Sequence, residues 1–126
     1  MVVTEYTVLV VDDEPAYCEV MRELLELISL NVVIANNVSD ALSLLEGLIP
    51  DLILSDLMMP EISGFTFLRH LRSNSLWFQV PVIFVTAKAA TIDREVALKD
   101  GANGFLVKPF TMQELKETIE PYLPVE

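Results

Sequence analysis

Five residues of this chain fall where an apolar run stops. Asp12 and Asp13 follow "TVLVV" (7–11), Asp56 follows "LILS" (52–55), Thr86 ends "VIFVT" (82–86), and Lys108 follows "GFLV" (104–107). Three carboxylates brought together repel one another, so something positive must offset them. Lys108 is one candidate. A hard divalent cation is the other: magnesium prefers oxygen donors, keeps several waters, and is usually held by only one or two carboxylates together with a phosphate. An aspartate can act as a nucleophile and form an aspartyl phosphate, while metal and lysine spread the charge of the transferring group. The set therefore suits a phosphoryl group. Each member also has a plainer role. Asp12 and Asp13 could cap a helix near Pro15, Asp56 could be a turn residue, Thr86 a strand residue, and Lys108 a solvated charge. Taken singly the plain roles win; five such coincidences at strand ends favour a site.

The elements that must position these residues are legible as periodicity. The four runs above and "NVVIA" (31–35) are short and mostly continuous, the pattern of strands covered on both faces of a parallel sheet. Between them lie segments with helical spacing. Tyr17, Val20, Met21, Leu24, Leu25 and Ile28 recur on one face of a first helix, with Pro15 suited to its first turn. Further helices are expected over about 38–46, stopped near Gly47, over 64–72, over 91–99, ending at Gly101, and from Thr111, where Thr111 and Glu114 have capping-box spacing. Strands alternating with helices predict right-handed crossovers and a doubly wound α/β fold, whose ligand crevice lies outside the carboxyl ends of the strands. Four of the five strands deliver a polar or charged group there.

Composition narrows the functional class. The 126 residues are 52% hydrophobic, enough for a sizeable core and one domain, residues 1–126. No apolar window reaches the roughly 18 residues of a transmembrane helix, and the acidic N-terminus is no signal peptide, so a cytoplasmic protein is expected. Net charge is −11, from 19 acidic against 8 basic residues, which argues against direct nucleic-acid binding. The single Cys18 can form no internal disulfide and reads as a small core residue; the single His70 has no second histidine to share a metal.

The motifs "VLVVDDE", "LILSDLMMPEISGF", "VIFVTAK" and "GFLVKPF" together resemble response regulator receiver domains, the phosphoacceptor modules of two-component signalling. The resemblance runs from about Tyr6 to Leu123. It implies a flavodoxin-like (βα)5 fold with strand order 2-1-3-4-5. It implies that Asp56 accepts a phosphoryl group from the phosphohistidine of a sensor histidine kinase or histidine phosphotransfer protein. Asp12, Asp13, Asp56 and the backbone carbonyl of Met58 would bind Mg2+ (or Mn2+). Lys108 would pair with the phosphoryl oxygens, and the Thr86 hydroxyl would hydrogen-bond one of them. The Lys108–Pro109 bond is expected to be cis. The surface of the fourth helix, fifth strand and fifth helix would then change, with Thr86 and an aromatic of the fifth strand as the switch. That aromatic is Phe105, where many relatives carry Tyr; inward rotation and plain core packing both stay open. The downstream protein target is not legible, and a phosphorylation-dependent homodimer is allowed.

Two further positions bear on phosphoryl lifetime in such domains, Met58 and Lys88. Met58 cannot position an attacking water and Lys88 could screen the group, so slow self-dephosphorylation is expected. The cluster Leu76, Trp77 and Phe78 reads as packing on the adjacent helix end, with a partner contact as the alternative. No output domain is expected within the chain, which acts as a regulator rather than as an enzyme on other substrates. The rival function is a receiver-like interaction module that is never phosphorylated. An aspartate-nucleophile phosphatase is disfavoured because Met58 stands where a general acid would be wanted. A flavin-binding relative is disfavoured because "DDEPAY" offers no phosphate cradle.

Overall fold

The computed structural model describes residues 5–87 and 91–123. Strands β1 (Thr7–Val11), β2 (Asn31–Ala35), β3 (Leu52–Ser55), β4 (Val82–Thr86) and β5 (Gly104–Val107) form one parallel sheet in the order β2-β1-β3-β4-β5. They alternate with helices α1 (Pro15–Glu26), α2 (Val38–Leu45), α3 (Gly64–Arg72), α4 (Thr91–Lys99) and α5 (Met112–Ile119). This is the doubly wound, flavodoxin-like arrangement, and its strands begin and end where the apolar runs do.

Continuous apolar strands follow from a two-faced core, because successive side chains point to opposite faces of a sheet. Val8, Val10, Leu52, Leu54, Ile83 and Val85 meet α1 and α5 through Cys18, Met21, Leu25, Leu115 and Ile119. Leu9, Val11, Ile53, Val82 and Phe84 meet α2, α3 and Ala97 of α4. Cys18 is thus a core residue, as expected. The face of α1 is periodic through Ile28, yet the helix stops at Glu26. Ser29 takes a positive φ of 66°, and the amides of Ile28 and Leu30 turn back onto Leu25 O, which leaves Ile28 buried and Leu27 exposed. At α5 the capping box is complete, with Thr111 accepting from the Glu114 amide and Glu114 from the Thr111 amide.

The Leu76–Trp77–Phe78 cluster splits. Trp77 packs into the core beside the His70 ring, whereas Leu76 and Phe78 stay exposed. All three precede β4 and so lie at the sheet edge opposite Asp56. The Lys108–Pro109 peptide is cis. Among the described residues no helix is long and apolar enough to cross a membrane.

Order reversal between β1 and β3 opens a crevice at their carboxyl ends. Gly64, the first residue of α3, closes its floor: its amide donates to Leu57 O at 2.8 Å. A Cβ there would strike the carbonyl oxygen of Asp56 and lie 2.9 Å from both Leu57 Cα and a Phe84 ring carbon. Gly64→Ala is expected to lower stability by about 1–3 kcal/mol, the usual cost of overpacking. Gly47→Ala, whose added Cβ meets nothing within 4 Å, is the control and leaves the urea midpoint unchanged or slightly raised. Equal midpoints for the two variants would remove this role from Gly64.

Candidate functional site

The site is mounted on the last rungs of the sheet. The amide of Asp12 donates to Ala35 O at the end of β2, that of Asp56 to Val11 O at the end of β1, and that of Lys108 to Thr86 O at the end of β4. Each charged residue thus sits one step past a strand with its backbone still held by the neighbouring strand. Register supports the placement, since Val11 pairs with both Ala35 and Ser55, and Thr86 with Val107.

Carboxylate oxygens of Asp12, Asp13 and Asp56 all lie within 4.8 Å of one another. Asp12 is 3% and Asp56 8% exposed, while Asp13 faces solvent. The Lys108 ammonium stands 2.8 Å from Asp12 Oδ2 and 3.6 Å from Asp56 Oδ2. Burial alone would pull the ammonium's pKa down; the hydrogen bond it donates to Asp12 and the fields of Asp12, Asp56 and Glu14 outweigh it and raise it instead. Lys108 is therefore firmly cationic. Three hard oxygen donors around one crevice are the donor set that magnesium or manganese takes, so the residues present fit such an ion. Among the described residues this is the one carboxylate, histidine or cysteine cluster with metal-ligand spacing, and His70 has no part in it.

Neither aspartate of the pair caps α1. The N-cap is Glu14, which makes no side-chain cap bond; instead its amide donates to Asp12 Oδ1 at 3.0 Å. That contact and Lys108 occupy both oxygens of Asp12, fixing the carboxylate plane. Asp56 Oδ1 accepts from the Met58 amide at 3.3 Å, and the Ser55 hydroxyl donates to the Asp56 carbonyl at 3.0 Å. Thr86 is buried at the lip of β4, and the Met58 side chain is exposed above the acceptor loop. Phe105 is half-buried against the core, with the Arg94 guanidinium 5.1 Å from its ring centroid. Lys88 lies outside the described residues.

Three contributors escape a reading of strand ends and motifs. Asn36 follows β2 and donates to the Asp12 carbonyl at 3.2 Å, so the fifth strand end is polar too. Cys18 donates to the same carbonyl at 3.4 Å; burial, then Asp12 and Glu19, push its thiol up to about 11. Tyr17, assigned by spacing to the apolar face of α1, places its ring 3.8 Å, centroid to atom, from Lys108 Nζ. Contacts of this kind contribute about 0.5–2 kcal/mol.

The family model for the response regulator receiver domain matches residues 8–120. The chain is 40% identical over 116 residues to the transcriptional regulatory protein CpxR of Escherichia coli K12, an alignment covering 92% of this chain and 48% of CpxR. It thus spans about half of that relative's length. Chemotaxis protein CheY4 of Vibrio cholerae superposes with a TM-score of 0.89 at 28% identity, covering 95% of this chain and 100% of CheY4. The receiver domain of the sensor histidine kinase PA1611 of Pseudomonas aeruginosa, solved with magnesium in its active-site cleft, superposes with a TM-score of 0.85 at 29% identity, covering 94% and 98%.

The acidic site leaves a titratable signature. Burial first, then Asp12, Asp56 and Glu14, raise the Tyr17 phenol from 10.0 to about 12. The folded chain keeps this proton where the unfolded chain has lost it, so the associated stability is full below pH 10 and is lost as pH rises through 12. Ultraviolet difference titration of the native chain against Tyr17→Phe, without divalent cations, is expected to isolate a phenol ionising near 12. A phenol ionising near 10 would remove both the burial and the acidic field from this account.

Proposed function

Because the chain belongs to the response regulator receiver domain family, we propose that residues 1–126 act as one phosphorylation-activated switch. A phosphoryl group passes onto Asp56 from the phosphohistidine of a sensor histidine kinase or histidine phosphotransfer protein. The observation that carries this reading is the Asp12–Asp13–Asp56 cluster within 4.8 Å, with one ammonium 2.8 Å and 3.6 Å from two of its members. A chain that merely kept the fold would have no use for so costly a concentration of like charge.

Asp56 is the nucleophile. One of its oxygens attacks phosphorus, the bond from phosphorus to the donor imidazole nitrogen breaks, and the imidazole leaves. Asp12, Asp13, Asp56 and the Met58 carbonyl would hold Mg2+ or Mn2+, which when bound neutralises charge on the phosphoryl oxygens. Lys108 turns from Asp12 toward those oxygens and stabilises them. The Thr86 hydroxyl then takes one phosphoryl oxygen, drawing the end of β4 inward. Phe105 is the next element along. Its inward rotation takes the ring from beneath the Arg94 guanidinium, so α4, β5 and α5 present a different surface to a downstream protein or a second copy. With a net charge of −11, that target is a protein rather than nucleic acid. The chain catalyses only its own phosphorylation and dephosphorylation, in keeping with a cytoplasmic signalling regulator.

Intact mass after incubation with acetyl phosphate and magnesium tests the acceptor. The native chain is expected to gain one phosphoryl group, lost on adding EDTA beforehand and absent from Asp56→Asn. An unmodified native chain, with this donor and with a cognate kinase, would favour the non-phosphorylated interaction module. A second expectation follows from Met58, whose exposed thioether cannot orient an attacking water. The phosphorylated chain should keep its label well beyond seconds after donor removal in magnesium; loss within seconds would overturn slow self-dephosphorylation.

A further inference from the structure

Lys108 has a third neighbour that phosphoryl transfer has not yet used. An ammonium carries three N–H donors. Asp12 Oδ2 takes one direction at 2.8 Å and Asp56 Oδ2 lies in another at 3.6 Å. The Tyr17 ring face covers a third, 3.8 Å from the nitrogen to the centroid. Lysine is among the side chains with most rotamer freedom to lose on ordering, so an ammonium at the mouth of a crevice needs such walls to stay there. Only 13% of the Lys108 side chain is exposed. Tyr17 itself is anchored from behind, half-buried against the core cluster that contains Cys18 and Met21 on the same helix.

We propose that Tyr17 is a positioning residue for phosphoryl transfer: its ring face holds the Lys108 ammonium between Asp12 and Asp56 before transfer and against the phosphoryl oxygens afterwards. This rests on Asp56 being the acceptor. When Lys108 turns from Asp12, the acidic partner is given up but the ring is not, since a ring face tolerates sliding of the cation across it better than a directed hydrogen bond does. The ring therefore confines the movement to a short arc between Asp12 and the acceptor.

Two readouts test this on the full chain with acetyl phosphate and magnesium. Labelling of Tyr17→Leu is expected to slow roughly threefold to tenfold, the scale of one lost cation–π contact. Tyr17→Phe, which keeps the ring, should restore most of the rate. In a Lys108→Met background Tyr17→Leu should add nothing further. Independently of phosphorylation, the Lys108 Hε resonances, assigned by their loss in Lys108→Met, should be shifted upfield by the ring in the native chain and in Tyr17→Phe, and return in Tyr17→Leu. Should Tyr17→Leu not fold by urea titration, Tyr17→Met takes its place. Equal rates for native and Tyr17→Leu, an equal slowing in the Lys108→Met background, or no upfield shift in the native chain would each overturn the positioning role. A native chain that takes no label would instead overturn Asp56 as acceptor, and the ring shift would still report whether Tyr17 holds Lys108.

Discussion

The structure depends on keeping three carboxylates within 4.8 Å of one another in the resting state, two of them almost wholly removed from water. Like charges so close repel strongly, and more so where solvent is excluded. Among the described residues the Lys108 ammonium, its stem buried, is the resident offset. It comes from the far end of the sequence, 96 residues from Asp12, so the chain must be nearly complete in its folding before the charge is balanced. The parallel sheet makes this arrangement tolerable. Backbone hydrogen bonds tie Asp12, Asp56 and Lys108 to the last residues of neighbouring strands, so the groups cannot drift apart to relieve the repulsion. A hard cation would relieve it, since the three carboxylates offer the oxygen donors such an ion takes. On the proposed function the phosphoryl group adds negative charge in its turn, which the cation and Lys108 would have to offset.

Strand boundaries were legible because the central strands β1, β3 and β4 are buried on both faces, and the outer strands β2 and β5 still pack apolar residues against the core. Val8 and Val10 serve one core layer while Leu9 and Val11 serve the other, and a polar residue in mid-run would need a partner inside the core, as Ser55 at the end of β3 finds in the Asp56 carbonyl. The first polar residue after the run therefore marks the strand's end and, in this topology, the site. Helix ends were less sharply written. Periodicity carries on through Ile28 because that side chain remains in the core, although the backbone has already turned at Ser29 with its positive φ. Spacing assigned Tyr17 correctly to an inward face but could not say that the top of this face meets Lys108. That contact depends on where α1 and β5 lie across the sheet, which single-chain periodicity does not encode. The Leu76–Trp77–Phe78 segment divides for a related reason. Only Trp77 reaches the space beneath α3, and its two neighbours necessarily point elsewhere.

The edge of the sheet remote from the carboxylates explains how the site holds its shape. Arg72, the last residue of α3, donates to Gly101 O at 3.0 Å, to Val80 O at 2.8 Å and to Asn103 Oδ1 at 3.0 Å. Asn103 Oδ1 also accepts from the Val82 amide, and its carbonyl accepts from the Tyr122 hydroxyl. One guanidinium thus joins the segments that lead into β4 and β5. These are the two strands whose far ends carry Thr86 and Lys108. A planar group with several fixed donors suits this task, where a lysine could satisfy the same carbonyls only as a point charge.

At its other end α3 begins with Gly64, set against the Asp56 backbone so closely that a methyl group would not fit. A helix of nine residues is about 13 Å long, close to the length of the strands beneath it. It therefore spans the sheet from the loop that follows Asp56 to the clamp that fixes the bases of β4 and β5. On the proposed function, movement of Thr86 at the upper end of β4, and of the Phe105 ring nearer the base of β5, would occur against a lower edge that is held. An inward pull at Asp56 would, on that proposal, be converted into a displacement of the α4–β5–α5 surface rather than a rigid shift of the whole half-sheet. On the proposed function, with the backbone fixed at both ends of α3, the response at the site would be carried by side chains, the Thr86 hydroxyl at the end of β4 and the Lys108 ammonium flanked by the Tyr17 ring, rather than by the sheet itself.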